Sequence, residues 1–106
     1  MRRGTTPEYE LTVPDYDLTD KTVFVTLAQD NRKVTKTGDQ LIITGDSSGS
    51  VIVFSLTQQD TLAMHTGKAS VQVRFIDYAG VAYATDIGTL YVDPVLLERV
   101  IAYAED

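Results

Sequence analysis

From Ser70 to Val92 the chain reads SVQVRFIDYAGVAYATDIGTLYV, two alternating runs on either side of a glycine turn. Val71, Val73 and Phe75 fall on one side of the first run and Gln72 and Arg74 on the other, the period-two pattern of a strand with one face buried. The two runs predict an antiparallel β-hairpin, and with it a small β-domain.

Other segments repeat the pattern. Tyr9, Leu11 and Val13 alternate with Glu8, Glu10 and Thr12 up to Pro14, which cannot donate to a sheet ladder and ends the run before the turn-rich DYDLTD. In TVFVTLAQ, Thr22 to Gln29, Val23, Val25 and Leu27 form one face and Phe24 is expected to help fill the other. Asp30-Asn31 supplies residues that tolerate the left-handed region for a tight turn into a polar strand, Arg32 to Thr37. Thr37-Gly38-Asp39 breaks that strand before Gln40 to Thr44, and residues 45–49 form another loop. Ser50 to Leu56, SVIVFSL, carries β-branched and aromatic residues on both faces and belongs in the middle of a sheet. Short strands with turn signals every eight to twelve residues read as an all-β sandwich or barrel, here of about seven strands.

Two stretches depart from strand periodicity. Thr57 and Asp60 have capping-box spacing, the Thr57 hydroxyl accepting from the Asp60 amide and the carboxylate reaching back to the Thr57 amide, which predicts a helical turn near residues 57–63. Leu62 and Met64 can then tuck beneath the sandwich. At the end, Asp93-Pro94 has the residue types of an N-cap and first helical position, and Leu96, Leu97, Val100, Ile101 and Ala104 share a helical stripe. The alternative for residues 94–104 is a final extended segment, because Val95, Leu97, Arg99 and Ile101 also alternate. Residues 1–6 read as a flexible arm, whose removal should leave thermal stability nearly unchanged, and residues 7–106 as one domain.

Composition narrows the function classes. At 106 residues, 43% apolar and 23% charged, the chain has the size and balance of one self-sufficient globular domain. No apolar run approaches the roughly 20 residues of a membrane-crossing helix. The start, MRRGTTPEYE, lacks the apolar segment of a secretory signal. With no cysteine, disulfides and thiolate chemistry drop out. A formal charge of −6 with basic residues scattered along the chain disfavours nucleic acid and anionic lipid as partners.

The chemistry-bearing residues form no catalytic, metal or cofactor constellation. Asp15, Asp17 and Asp20 could ligate Ca²⁺, but the loop lacks the glycine and downstream bidentate Glu of a calcium site, so turn chemistry is the simpler reading. Asp46, Ser47 and Ser48 are read the same way. His65 is the single histidine, and no serine has a nucleophile-elbow context, which leaves a surface-loop histidine. No glycine-rich phosphate loop occurs. Of six tyrosines, Tyr78, Tyr83, Tyr91 and Tyr103 lie in or beside predicted elements, where packing at core or rim is the default and an outward row would instead suit sugar stacking.

Four blocks together, RGTTP (Arg3 to Pro7), LTQQDTL (Leu56 to Leu62), VQVRF (Val71 to Phe75) and GVAYATDI (Gly80 to Ile87), resemble a group of small, uncharacterised proteins encoded among the tail and baseplate genes of phages and prophages of Gram-positive bacteria. The resemblance spans most of the chain and brings no catalytic, cofactor-binding or metal-binding residues with it. It implies an immunoglobulin-like β-sandwich acting without enzymatic activity as a virion structural or assembly protein. Such a protein would reside in the virion, and in the host cytoplasm during assembly. Its partners would be other phage structural proteins or further copies of itself, with no nucleic acid, membrane or cofactor, and it would dock through residues 1–6 or the Val95 to Tyr103 stripe. A carbohydrate-binding sandwich module is the alternative. A hydrolase would need His65 beside a nucleophile.

Overall fold

A computed structural model describes residues 1–95 of the chain. Eight strands and one short helix follow in order: β1 (Glu8–Pro14), β2 (Thr22–Gln29), β3 (Arg32–Thr37), β4 (Leu41–Asp46), β5 (Gly49–Ser55), α1 (Gln58–Leu62), β6 (Gly67–Ile76), β7 (Ala82–Ala84) and β8 (Gly88–Val92). They form two antiparallel sheets, β1-β5-β4 and β3-β2-β6-β7, with β8 also on β6. The molecule is an all-β sandwich. With β7 and β8 counted as one interrupted strand there are seven strands, and in immunoglobulin lettering the sheets are B-E-D and C′-C-F-G. Among the described residues strand A has no counterpart beside β1.

The periodicity of each strand decides its inner face. Val13 of β1, Val23, Val25 and Leu27 of β2, Ile52 and Phe54 of β5, and Ala69, Val73 and Phe75 of β6 are buried, joined by Leu18, Leu41, Leu56, Met64 and Val92. Each Val, Leu, Ile or Phe so buried contributes roughly 1.5–3 kcal/mol. Central β5 pairs on both edges. Phe24 does not fill an interior: the outer face of its sheet has no covering layer among the described residues, and the ring is 38% exposed.

The second arm of the hairpin is not one strand. β7 pairs in the register Phe75↔Tyr83 and β8 in the register Ala69↔Leu90, one residue out of step. A bulge at residues 85–87 absorbs the extra residue. Thr85 closes the gap, since its hydroxyl accepts from the Val73 amide (3.1 Å) and its own amide donates to the Val73 carbonyl (2.9 Å).

The predicted helical turn is α1, shorter than the range 57–63 and capped as expected, with the Thr57 hydroxyl accepting from the Asp60 amide and the Asp60 carboxylate accepting from the Thr57 amide. Met64 tucks under the core. Between β3 and β4 the break is a 3₁₀ turn, Gly38–Gln40, and Asp30, at φ 52°, makes the tight β2–β3 turn.

The N-terminal segment is not a free arm. Met1 donates its ammonium to the Tyr91 carbonyl (2.8 Å), the Arg3 amide donates to the Asp93 carbonyl (3.0 Å), and Arg2 forms a parallel bridge with Asp93. From the other side, the buried Thr61 hydroxyl donates to the Thr5 carbonyl (2.9 Å) and an Arg3 guanidinium nitrogen to the Leu62 carbonyl (2.9 Å). Residues 1–5 therefore belong to the folded body. The helix or extended segment expected over residues 94–104, and with it most of the docking stripe, lies outside the described residues beyond Val95.

Two stability changes follow. Val73→Asp places a carboxylate without a partner in the core, at a cost of several kcal/mol against a total of about 5–15, so the variant should lack the wild-type melting transition by circular dichroism. Removing residues 1–5 deletes at least four long-range hydrogen bonds of about 1 kcal/mol each at most, and should lower the melting temperature by several degrees; an unchanged value would mean the segment is unattached in solution.

Candidate functional site

Three connections meet at one end of the sandwich: the β1–β2 loop, the β4–β5 turn and the β6–β7 turn. Buried Ser50 fastens the first to β5, its hydroxyl accepting from the Leu18 amide and donating to the Tyr16 carbonyl (both 2.8 Å). That seats Leu18 as a fully buried plug. The Asp15 amide donates to the Ser48 carbonyl (3.1 Å), tying the loop to the turn beside it.

On this base stands an aromatic group. Tyr16, Phe75 and Tyr83 have ring centroids 5.1–5.5 Å apart, Phe75 buried beneath and the two tyrosines part-exposed at 41% and 37%. Tyr16 and Tyr83 are inclined by 46°, so they form a rim and not a flat platform. Tyr78 rises from the β6–β7 turn almost entirely in solvent, 99% exposed. Asp77 holds that turn, its carboxylate accepting from the amides of Ala79 and Val81 (both 3.0 Å), and Gly80 provides the positive φ of 83°. Elsewhere Tyr9 packs on Phe54 and Tyr91 is exposed, whereas Tyr103 lies outside the described residues.

The acidic loops perform the turn chemistry expected of them. Asp17 accepts from the Thr19 amide and hydroxyl, and Asp46 from the Ser48 amide and hydroxyl. In each case the hydroxyl hydrogen bond is the main reason the carboxyl is held below its ordinary pKa. Among the described residues no group of three His, Cys, Asp or Glu side chains is placed to hold a metal ion.

His65 sits at the opposite end of β2, exposed, with its ring beside the Arg32 guanidinium. Its backbone matters more. The buried Gln29 amide donates to the His65 carbonyl (2.8 Å) and accepts from the His65 amide (2.6 Å), imitating one more rung of a sheet ladder.

Sequence reasoning missed one pair. Lys36, on the strand read as polar, is buried and reaches Asp60 at 2.7 Å, joining β3 to the cap of α1. Burial resists the Asp60 charge, but hydrogen bonds from Lys36 and Thr57 outweigh it and keep the carboxyl below its usual range.

A groove of about 260 Å³ opens between the outer edge of β1, unpaired among the described residues, and the bulge, walled by Leu11, Val13, Val71, Val73, Thr85 and Gly88. It lies on the side where, among the described residues, no strand A stands beside β1. β1 meets solvent there with Glu8, Glu10 and Pro14, residue types that discourage indiscriminate strand pairing.

Compared with known proteins, the chain matches no family model and no curated relative.

The Lys36–Asp60 pair makes stability pH-dependent with a definite sign. The folded pKa of Asp60 is depressed, so its contribution is complete above the unfolded value near 3.9 and is lost as pH falls through the lower folded value. Asp60→Asn should cost about 1–3 kcal/mol at pH 7. In thermal melts between about pH 6 and 2.5, the gap between wild type and variant should narrow as acid is added; a constant gap would show that the carboxylate charge plays no part.

Proposed function

We propose that the chain is a non-enzymatic structural or assembly protein of a phage or prophage virion, associated with the tail or baseplate and working through protein–protein contacts. In this role it is present in the host cytoplasm during assembly and in the finished particle. Support comes first from the four blocks in which it resembles proteins of that gene region. The observation that carries the reading structurally is the strand position beside β1, unfilled among the described residues, with its apolar groove. A partner segment can add there as a strand, its backbone pairing with the free edge and alternate side chains entering the groove.

The disposition of polar groups fits this role. Asp17, Asp46, Asp60, Asp77, Ser50 and Gln29 each hold a turn, a loop or a cap in place. Among the described residues the His65 ring has the Arg32 guanidinium as its hydrogen-bond partner.

A carbohydrate-binding module is the second reading, favoured by Tyr16, Tyr78 and Tyr83 at the loop end with the Asp77 carboxylate among them. Stacking on a sugar would use Tyr78, which is 99% exposed and makes no ring contact among the described residues.

Mass spectrometry of purified particles from an induced lysogen should find the chain at a fixed ratio to the major tail proteins. Its absence from particles and from assembly intermediates removes the virion reading. Binding on a sugar array, abolished in Tyr78→Ala, would put the second reading in its place.

A further inference from the structure

The basic residues, scattered along the sequence, are not scattered in space. Every charged residue in the strands of the β1-β5-β4 sheet is acidic: Glu8, Glu10 and Asp46. Every charged residue in the strands of the other sheet is basic: Arg32, Lys33, Lys36, Lys68 and Arg74. Lys36 points inward to Asp60, and Arg32 meets His65 at the sheet end. The strand registers put the others on the outer faces.

On the outside of the second sheet, Lys33, Ala28, Ser70 and Thr89 form one cross-strand row, Thr37, Phe24, Arg74 and Ala84 another, and Lys68 stands opposite Tyr91. Phe24, Ile76, Ile87 and Tyr91 expose apolar surface around these cations. On the outside of the first sheet, Glu10 faces Val53, which faces Ile42, itself 65% exposed, and Glu8 faces Ser55. Among the described residues no ion pair engages Lys33, Lys68, Arg74, Glu8 or Glu10. A chain of net charge −6 thus carries an apolar-basic face on one side and an apolar-acidic face on the other.

We propose that these two faces are complementary halves of one interface, and that copies of this chain stack head to tail, the β3-β2-β6 face of one on the β1-β5-β4 face of the next. The occupant is a second copy because the same molecule presents both signs, each on a part-apolar sheet face. The pairing is heterologous, leaving one free face at each end, so it propagates unless the rotation closes a ring. The smaller face is three strands wide and seven residues long, about 14 by 24 Å, below the standard size of a stable interface. Association is therefore weak and shows at high protein concentration and low salt. It does not depend on the virion reading: stacking without incorporation into particles would retain this proposal and remove that one.

The test is sedimentation equilibrium of the chain from micromolar to near-millimolar concentration at low and high salt. Wild type should gain mass with concentration, past the dimer, with affinity falling about tenfold or more as salt rises from tens to hundreds of millimolar. Lys68→Glu with Arg74→Glu should be monomeric, and so should Glu8→Lys with Glu10→Lys. All four changes in one chain swap the signs of both faces and should restore association. Circular dichroism of each variant, whose altered side chains are all exposed, confirms that the sandwich is intact.

A monomeric wild type throughout overturns the proposal. So does an association lost on reversing the basic face but kept on reversing the acidic one, or not rescued by the fourfold swap; either result means that the two faces are not each other's partner. Retention of a monomeric wild type on an oligonucleotide or on anionic vesicles would reassign the basic face to a polyanion, with the same consequence.

Discussion

Neither sheet of this protein can bury its apolar side chains alone. Three strands on one side and four on the other each present a row of Val, Leu, Ile and Phe that is stable only against the opposite row. With no disulfide or metal site contributing among the described residues, that shared interior must supply most of the stability of a domain of this length. Alternation is thus a constraint on the whole chain, because a one-residue shift in any paired strand turns its buried set outward.

The polar interactions work at the margins of that interior. Ser50 seals one end by fixing Leu18 as a plug, and Lys36 with Asp60 closes the crossing from β3 to α1. Gln29 extends the β2 edge by a false rung onto His65, while Thr61 and Arg3 clamp the first residues beneath α1. All of them connect segments far apart in sequence. They hold the sandwich closed at its ends, where the apolar layer thins.

Most of the fold could be read from the sequence because its signals are local. The alternation of β1, β2 and β6, the two-faced apolar run of β5, the Asp30-Asn31 turn and the Thr57–Asp60 cap need only neighbouring residues to be recognised. What escaped was decided by partners across the chain. Met1 to Arg3 look unattached until β8 arrives some ninety residues later. Lys36 looks wet until Asp60 is placed opposite it. The candidate surfaces were hidden for the same reason: Tyr16 joins Phe75 and Tyr83 only through loop closure, and Lys33, Lys68 and Arg74 share a face only once β2 lies between β3 and β6.

The bulge at residues 85–87 acts as a phase converter. Before it, the odd-numbered Tyr83 lies over Phe75; after it, the even-numbered Leu90 and Val92 point inward. Losing the one extra residue here would merge β7 and β8 into a regular ladder with Leu90 still opposite Ala69 and Val92 still opposite Gly67. At this site, then, the chain can shed a single residue and keep its inward side chains inward, a tolerance lent by the bulge and not by any partner.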